Sequence, residues 1–225
     1  MKQALRNTAA AFAFAAATTA FGQQGPVQIV GLMELSGTGA TAGTNFDNGV
    51  KLAVKEINAA GGILGRKIEY TSMDTQSAPQ TAKALAQKAV DQSAYVVMGP
   101  VFSGSFIVSM AETKRAEIPN FTGGEAANIT QQGNPYVFRT SFTQSTAMPK
   151  LARYIKDTVK AKSVAMVWVN NDFGKGGRDS MSKALEAQGI KVAADISTDP
   201  GQVDFSAAVL KKVGPVAPQP SKGTT

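Results

Sequence analysis

The strongest constraint on the fold is an uninterrupted helix, glycine stop and strand over residues 48–74. Apolar residues recur at helical spacing over 46–57, and the glycine pair at 61–62 then ends the helix, because glycine tolerates the left-handed conformation. Residues 67–73 roughly alternate between apolar and polar, as in a strand with one face on a core. Preceded by the apolar run 27–33, this segment predicts a β-α-β unit with parallel strands and a right-handed crossover.

The alternation of strand and helix patterns continues along the chain. It predicts an α/β fold with a parallel sheet covered by helices on both faces. Ser77 and Gln80 are expected to form a capping box around a first-turn proline, and Asp204 is expected to cap a helix over 205–213. The other predicted strands lie at 95–98, 118–122, 136–140, 163–169 and 190–196, and the other helices cover roughly 82–90, 105–116, 148–159 and 181–188.

The first residues have the composition of a secretory signal peptide. Lys2 and Arg6 precede a run of small apolar residues at 9–20, with a peptidase site expected by residue 22. The alternative is a membrane anchor, but the run is shorter than the ~20 residues that a spanning helix needs. Residues 1–22 are therefore expected to be removed on export to the periplasm.

The absence of cysteine and histidine restricts the chemistry of the chain. Without cysteine there is no disulfide framework and no thiol to carry an N-terminal lipid. Without histidine as well, a Ser-His-Asp triad, a cysteine nucleophile and a histidine-rich metal site are excluded, so we expect neither an enzyme nor a cofactor. The net charge of +7 is scattered and not interleaved with aromatic residues, so nucleic-acid binding is not expected.

Seven short motifs carry a resemblance to a known family. They are EINAAGGI at 56–63, DTQS at 74–77, GPVFSGS at 99–105, TQQGNPY at 130–136, FRT at 138–140, NDFGKG at 171–176 and DFS at 204–206. In this order and spacing the chain resembles the type I periplasmic solute-binding proteins, specifically the leucine/isoleucine/valine-binding family, from residue 27 to about 213. The resemblance implies two Rossmann-like lobes with parallel sheets. These close on an amino acid or related small solute and deliver it to a membrane ABC importer, and a monomer is expected.

The resemblance also implies how the chain is divided. A first lobe is expected over 23–122 and a second lobe over 123–213, with the crossing in the polar loop that begins at residue 123. Members of the family carry a substantial further segment that completes the second lobe. From residue 214 this chain instead reads GPVAPQPSKGTT, a proline-rich tail that is predicted to be disordered. We therefore expect a C-terminal truncation with an incomplete second lobe, and weak binding or poor folding as its consequence.

Loops that follow strands are the places where open α/β sheets bind ligands. Ser103, Gly104 and Ser105 follow the predicted strand 95–98, at the start of a helix. Their hydroxyl and N–H groups are positioned to hold a ligand carboxylate at the positive end of the helix. The alternative is that Ser103 or Ser105 only caps the helix.

The resemblance assigns three further residues to the ligand. It places Gly123 and Glu125 against the ligand ammonium and Phe173 over the ligand as the second lobe closes. Glu125 stands where the family commonly has threonine, and a desolvated carboxylate binds an ammonium more strongly than a hydroxyl does. Phe173 stands where the family often has tyrosine, and without a hydroxyl it can only pack or stack. The alternatives are a surface role for Glu125 and, for Phe173, a hydrophobic staple on the next helix.

A glycine-rich loop at 36–43 raises rival hypotheses. It suggests a Rossmann-type dinucleotide-binding oxidoreductase, in which Asp74 at the end of the second strand would bind a ribose. The spacing of Gly37, Gly39 and Gly43 departs from the usual fingerprint, and the loop before the first helix is long, so solute binding is preferred. In that case the loop is a candidate for contact with the ligand side chain. A ligand-binding domain of a sensory receptor is a third hypothesis, which would require a transmembrane or signalling segment.

Overall fold

A five-stranded parallel sheet, in the order β2-β1-β3-β4-β5, dominates the computed structural model, which describes residues 25–206. The expectations for residues 1–22, for the tail after 213 and for most of the helix over 205–213 lie outside the described residues. The strands are β1 (Val27–Met33), β2 (Ile68–Asp74), β3 (Val96–Met98), β4 (Asn120–Thr122) and β5 (Val137–Arg139), and the helices between them are α1 (Ala40–Ala59), α2 (Pro79–Asp91) and α3 (Ser103–Arg115). Every neighbouring pair of strands in this sheet is parallel, which confirms the predicted α/β class.

The predicted β-α-β unit at the start of the chain is confirmed. β1 and β2 pair in parallel from Val27 opposite Ile68 to Met33 opposite Asp74. The helix between them starts earlier than the apolar pattern indicated, at Ala40, directly after a 3-10 turn. The loop that follows β1 is therefore shorter than predicted.

Helix α1 docks on the sheet through polar contacts more than through its apolar residues. Of its residues only Gly43 and Asp47 are buried. The Asp47 carboxylate accepts hydrogen bonds from Tyr70 Oη (2.7 Å) and Ser72 Oγ (2.8 Å) and pairs with Lys51 Nζ at 2.6 Å. Burial raises the pKa of Asp47, but these partners lower it by more, so that the carboxylate stays charged. The predicted apolar face is only partly buried: Phe46, Val50 and Val54 are half-buried, and Ile57 is exposed.

The turn before α2 differs from the predicted capping box. α2 starts at Pro79, which confirms a proline in the first turn, but its cap position is Ala78, which makes no side-chain hydrogen bond. Ser77 Oγ instead donates to the Ser36 carbonyl oxygen (2.6 Å) and accepts from the Gly39 N–H (2.9 Å). The serine thus ties the turn after β2 to the turn after β1.

A separate two-stranded parallel sheet follows, formed by β6 (Ser163–Val169) and β7 (Lys191–Thr198). Helix α5 (Asp172–Ala187) packs on this sheet, and α4 (Gln144–Tyr154), which continues into a π-helical segment at Ile155–Val159, packs on α5. Their common core consists of buried apolar side chains: Ala152, Ala184, Leu185 and Ile190. Strand β6 has the bounds that the sequence predicted.

The change from one sheet to the other lies later than residue 123. β5 pairs with β4, with Asn120 opposite Val137, and the rings of Phe121 and Phe138 stack with their centroids 5.0 Å apart. A boundary at residue 123 would separate β5 from the sheet in which it pairs. The five-stranded unit therefore extends to Arg139, and the polar loop lies inside it. Within residues 25–206, no helix is both long enough and apolar enough to cross a membrane.

Candidate ligand-binding site

A cavity of about 570 Å³ opens between the two sheets, at the carboxyl ends of their strands. Its volume lies within the ~300–1,000 Å³ that is typical of small-molecule sites. Loops from both sheets line it, including residues that follow β1, β2, β3, β4, β6 and β7. All six residues predicted to contact the ligand are among those that line it: Ser103, Gly104, Ser105, Gly123, Glu125 and Phe173.

Glu34, directly after β1, fixes the turn that leads into α3. Its side chain is fully buried, and its carboxylate accepts hydrogen bonds from the N–H groups of Val101 (3.1 Å) and Phe102 (3.0 Å). Burial raises the pKa of Glu34, and the hydrogen bonds from Phe102 and Val101 offset only part of that rise. The carboxylate therefore holds the start of α3 against the end of β1, where α3 meets the cavity.

The two serines at the start of α3 have different environments. Phe102 occupies the cap position, so neither serine caps the helix as the alternative interpretation supposed. Ser103 is buried, and its Oγ accepts a hydrogen bond from the Ala126 N–H at 3.2 Å. Ser105 is 1% exposed, lines the cavity, and has no hydrogen-bond partner for its hydroxyl within the described residues. Since the first N–H groups of a helix have no intrahelical acceptor, α3 offers the cavity both these donors and the Ser105 hydroxyl.

Glu125 is half-buried on the loop after β4 and lines the same cavity. Burial raises the pKa of Glu125, and the positive charge of Arg139 partly lowers it again. Arg139 donates its own hydrogen bonds elsewhere, to the carbonyl oxygens of Gly124 and Ala126. Glu125 is therefore a partly desolvated carboxylate with a nearby positive charge but no salt bridge within residues 25–206.

Phe173 lies across the cavity, in the first turn of α5. A hydrophobic staple precedes the N-cap of its helix, whereas Phe173 follows the cap residue Asn171, so the staple interpretation is wrong. Phe173 is 44% exposed. The Phe173 backbone carbonyl oxygen accepts a hydrogen bond from Gln144 Nε2 at 2.8 Å. The Gln144 N–H donates to the Glu125 carbonyl oxygen at 3.1 Å. Gln144 thus connects the two sides of the cavity.

The glycine-rich loop after β1 is tied to β2 by Asp74. The Asp74 carboxylate accepts hydrogen bonds from the N–H groups of Leu35 (2.9 Å), Ser36 (3.1 Å) and Gln76 (2.8 Å), and from Ser36 Oγ (2.6 Å). Burial raises the pKa of Asp74, but these hydrogen bonds lower it by more. The carboxylate that the oxidoreductase hypothesis assigned to a ribose is thus engaged in holding its own loop.

The glycines of this loop have packing roles. Gly37 adopts a positive φ of 77°. A Cβ at Gly43 would lie 2.6 Å from the Glu34 carbonyl carbon, so only glycine allows α1 to approach the end of β1 this closely. Thr38 and Ala42, which lie between these glycines, line the cavity. The loop therefore contributes side chains to the cavity wall, and its contact with the ligand side chain stays a prediction.

Sequence reasoning did not assign four residues to the site: Glu34, Ser77, Gln144 and Asp172. Ser77 and Asp172 line the cavity, whereas Glu34 and Gln144 hydrogen-bond to residues of its wall. Glu34, Ser77 and Gln144 each contact a residue distant in the chain. Asp172 lies opposite Gly104 of α3. The available signal was a charged residue directly after a buried strand, which marks Glu34. No local pattern indicates the other three.

In sequence and fold the chain is similar to known solute-binding proteins. A Leu/Ile/Val-binding protein of Rhizobium johnstonii is 33% identical over 178 residues, which are 79% of this chain and 48% of the relative. A branched-chain amino acid transporter substrate-binding protein of Streptococcus pneumoniae, solved with isoleucine, has a TM-score of 0.77 at 30% identity, over 85% of this chain and 55% of that one. A benzoate-bound solute-binding protein of R. palustris has a TM-score of 0.76 at 26% identity, over 83% of this chain and 52% of that one.

The family model described as periplasmic binding protein matches residues 26–213, and this chain belongs to that family. The chain spans about half the length of the curated relatives it matches. The expected resemblance and the type I fold are thereby confirmed.

Proposed function

We propose that this chain is the extracytoplasmic solute-binding component of an ABC importer for amino acids, of the branched-chain type or related small solutes. One observation carries the proposal: the residues assigned to a ligand carboxylate, at the start of α3, and to a ligand ammonium, at Glu125, line a single cavity. The names of the relatives, which include leucine-specific and Leu/Ile/Val-binding proteins, support an amino acid as the ligand.

In this proposal each element at the cavity has a role. The α3 N–H groups, with the hydroxyls of Ser103 and Ser105 and the backbone of Gly104, hold the carboxylate. Gly123 offers a carbonyl oxygen and Glu125 a carboxylate to the ammonium. Phe173 covers the ligand when the two units move together about their connection. Binding and release then need no covalent chemistry.

The setting of the protein is part of the same proposal. After removal of residues 1–22 the protein would act in the periplasm as a monomer and pass its solute to a membrane permease. The first lobe would extend to the end of β5 at Arg139, and the second would contain β6 and β7. The oxidoreductase alternative loses support, because Asp74 and the glycines of the loop after β1 have structural roles.

A thermal-shift panel of branched-chain, polar and aromatic amino acids, with aromatic carboxylates and NADH, tests the proposal. An amino acid should raise the unfolding temperature, and Ser105→Ala should weaken its binding about tenfold, as expected for one hydrogen bond to a charged group. Ser109→Ala is the matched control, because Ser109 lies on the same helix, outside the cavity wall, and its hydroxyl donates to the Phe106 carbonyl oxygen. Stabilisation by NADH alone, or by none of the compounds, would remove the assignment.

A further inference from the structure

The charges that line the cavity are of one sign. Among residues 25–206, Glu125 and Asp172 are the charged residues in the cavity wall, and no lysine or arginine accompanies them. They lie on opposite sides, Glu125 after β4 and Asp172 at the start of α5. A neutral zwitterionic ligand offers a single cationic group to these two carboxylates.

Asp172 lies close to the first turn of α3. Its Oδ2 is 3.0 Å from the position that a Cβ on Gly104 would occupy, so the carboxylate approaches the helix where Gly104 has no side chain. Asp172 is exposed, and its carboxylate makes no hydrogen bond or salt bridge within the described part of the chain. A ligand that fills the cavity would remove this carboxylate from water, and a buried carboxylate is costly unless it is paired.

Glu125 is already partly removed from water. Burial raises the pKa of its carboxyl group, and Arg139 compensates that effect only in part. The Arg139 guanidinium donates to the Gly124 and Ala126 carbonyl oxygens, so it is not free to turn into the cavity and neutralise a second carboxylate. Closing the cavity therefore leaves two carboxylates that form no salt bridge with any residue the structure describes.

The rest of the wall suits a ligand with an apolar stem between its charged ends. It includes six aromatic and aliphatic side chains: Val101, Phe102, Val169, Phe173, Pro79 and Pro200. Methylene groups of long cationic side chains pack on such surfaces, and a guanidinium or ammonium group is attracted to the face of a phenylalanine ring.

We propose that the solute is a basic amino acid, such as arginine or lysine, whose two cationic groups are neutralised by Glu125 and Asp172. This rests on the proposed function and names the ligand class of the same site. The ligand carboxylate lies at the start of α3 with the Ser105 hydroxyl, which is buried without a partner in the described residues. The methylene stem lies against the apolar wall. Asp172 is then a specificity-determining residue that favours a second positive charge.

Isothermal titration calorimetry of the full chain with L-arginine, L-lysine, L-leucine and benzoate tests the inference. Arginine or lysine should bind about tenfold more tightly than leucine, which corresponds to one charge-assisted hydrogen bond. Asp172→Asn should abolish that preference, so that the ratio of the affinities for arginine or lysine and for leucine falls to about one. Asp179→Asn is the matched control, because Asp179 lies on the same helix, outside this cavity, and pairs with Arg178. It should keep the preference.

The possible results separate the two proposals. Tighter binding of leucine than of arginine and lysine would overturn the inference and leave the proposed function intact. Binding of benzoate alone, or of none of the four compounds, would overturn the inference, whereas the proposed function falls only if the wider thermal-shift panel also fails. If Asp172→Asn fails to show a cooperative thermal transition, Asp172→Ser removes the same charge. An undiminished preference for arginine or lysine in the folded variant would also overturn the inference.

Discussion

At the scale of single residues, Glu34 makes the most consequential contact that the structure reveals. It is fully buried and accepts hydrogen bonds from the Val101 and Phe102 N–H groups, at the turn into α3. Glu34→Ala should lower the free energy of unfolding by about 1–3 kcal/mol, the cost of a buried polar group left without a partner. Glu34→Gln keeps one acceptor oxygen and should lose less. Urea denaturation measures both, with the exposed Glu56→Gln as the control. A Glu34→Ala variant as stable as the wild type would show that the turn does not depend on this carboxylate.

The same residue predicts a pH dependence. Burial raises the pKa of Glu34 above its ordinary value of 4.5, and the charge of Asp74 adds to the rise. A carboxyl group with a raised folded-state pKa binds more protons in the folded state, so its contribution to stability is full below pH 4.5 and is lost as the pH rises through the folded value. The free energy of unfolding of the wild type minus that of Glu34→Gln, measured by urea denaturation across this pH range, should therefore decline with rising pH. A flat or rising difference would contradict the assignment.

At the scale of elements, the two glycines of α1 should respond in opposite ways to the same substitution. A Cβ at Gly43 would meet the backbone of Glu34, whereas a Cβ at Gly49 would have nothing within 4 Å. Gly43→Ala should therefore destabilise by about 1–3 kcal/mol through overpacking. Gly49→Ala should stabilise by about 0.5–1 kcal/mol, because alanine favours the helix interior. Thermal unfolding of the two variants is a matched test, and equal effects would show that α1 does not sit against β1 as described.

Elements could be predicted from the sequence where their pattern is local. β1 and β6 have the predicted bounds because each is an uninterrupted, mainly apolar run with a clear stop. α1 starts before its predicted stripe because Gly43 and Asp47 dock it on the sheet, and neither is apolar enough to mark a core position. Ser77 was expected to cap α2 but bonds to the turn after β1, because a hydroxyl serves whichever partner the tertiary structure brings near.

At the scale of the whole molecule, the motifs located the cavity but not the division of the chain. That Ser105 and Phe173 lie at the cavity could be predicted, because they follow strands and parallel strands bring such loops to one edge of the sheet. The sheet to which β5 belongs could not be predicted, because the sequence of a short strand does not indicate its partner. Its pairing with β4 in the structure shows that it belongs to the five-stranded sheet. The place of Asp172 in the site likewise could not be predicted, because it depends on the approach of its carboxylate to Gly104 in the folded chain.

The connection across the cavity makes a prediction about cooperativity. Gln144 is buried and joins the Phe173 carbonyl oxygen to the loop of Glu125. A ligand that contacts both sides of the cavity, at a free concentration of about 100 times its Kd, should stabilise the folded state by about 2.7 kcal/mol. Hydrogen exchange should then slow in β6 and β7 as well as in α3.

Gln144→Ala should reduce the ligand's effect on β6 and β7 while the added protection of α3 remains, because that variant lacks the side-chain bond to Phe173. Gln131→Ala is the matched control: Gln131 is exposed and outside the cavity wall. If the ligand raises protection from hydrogen exchange equally in α3 and in β6 and β7 of the Gln144→Ala variant, the ligand alone couples the two sides of the cavity. Protection confined to α3 in the wild type would mean that the second unit takes no part in binding, since a ligand stabilises only the structure whose opening releases it.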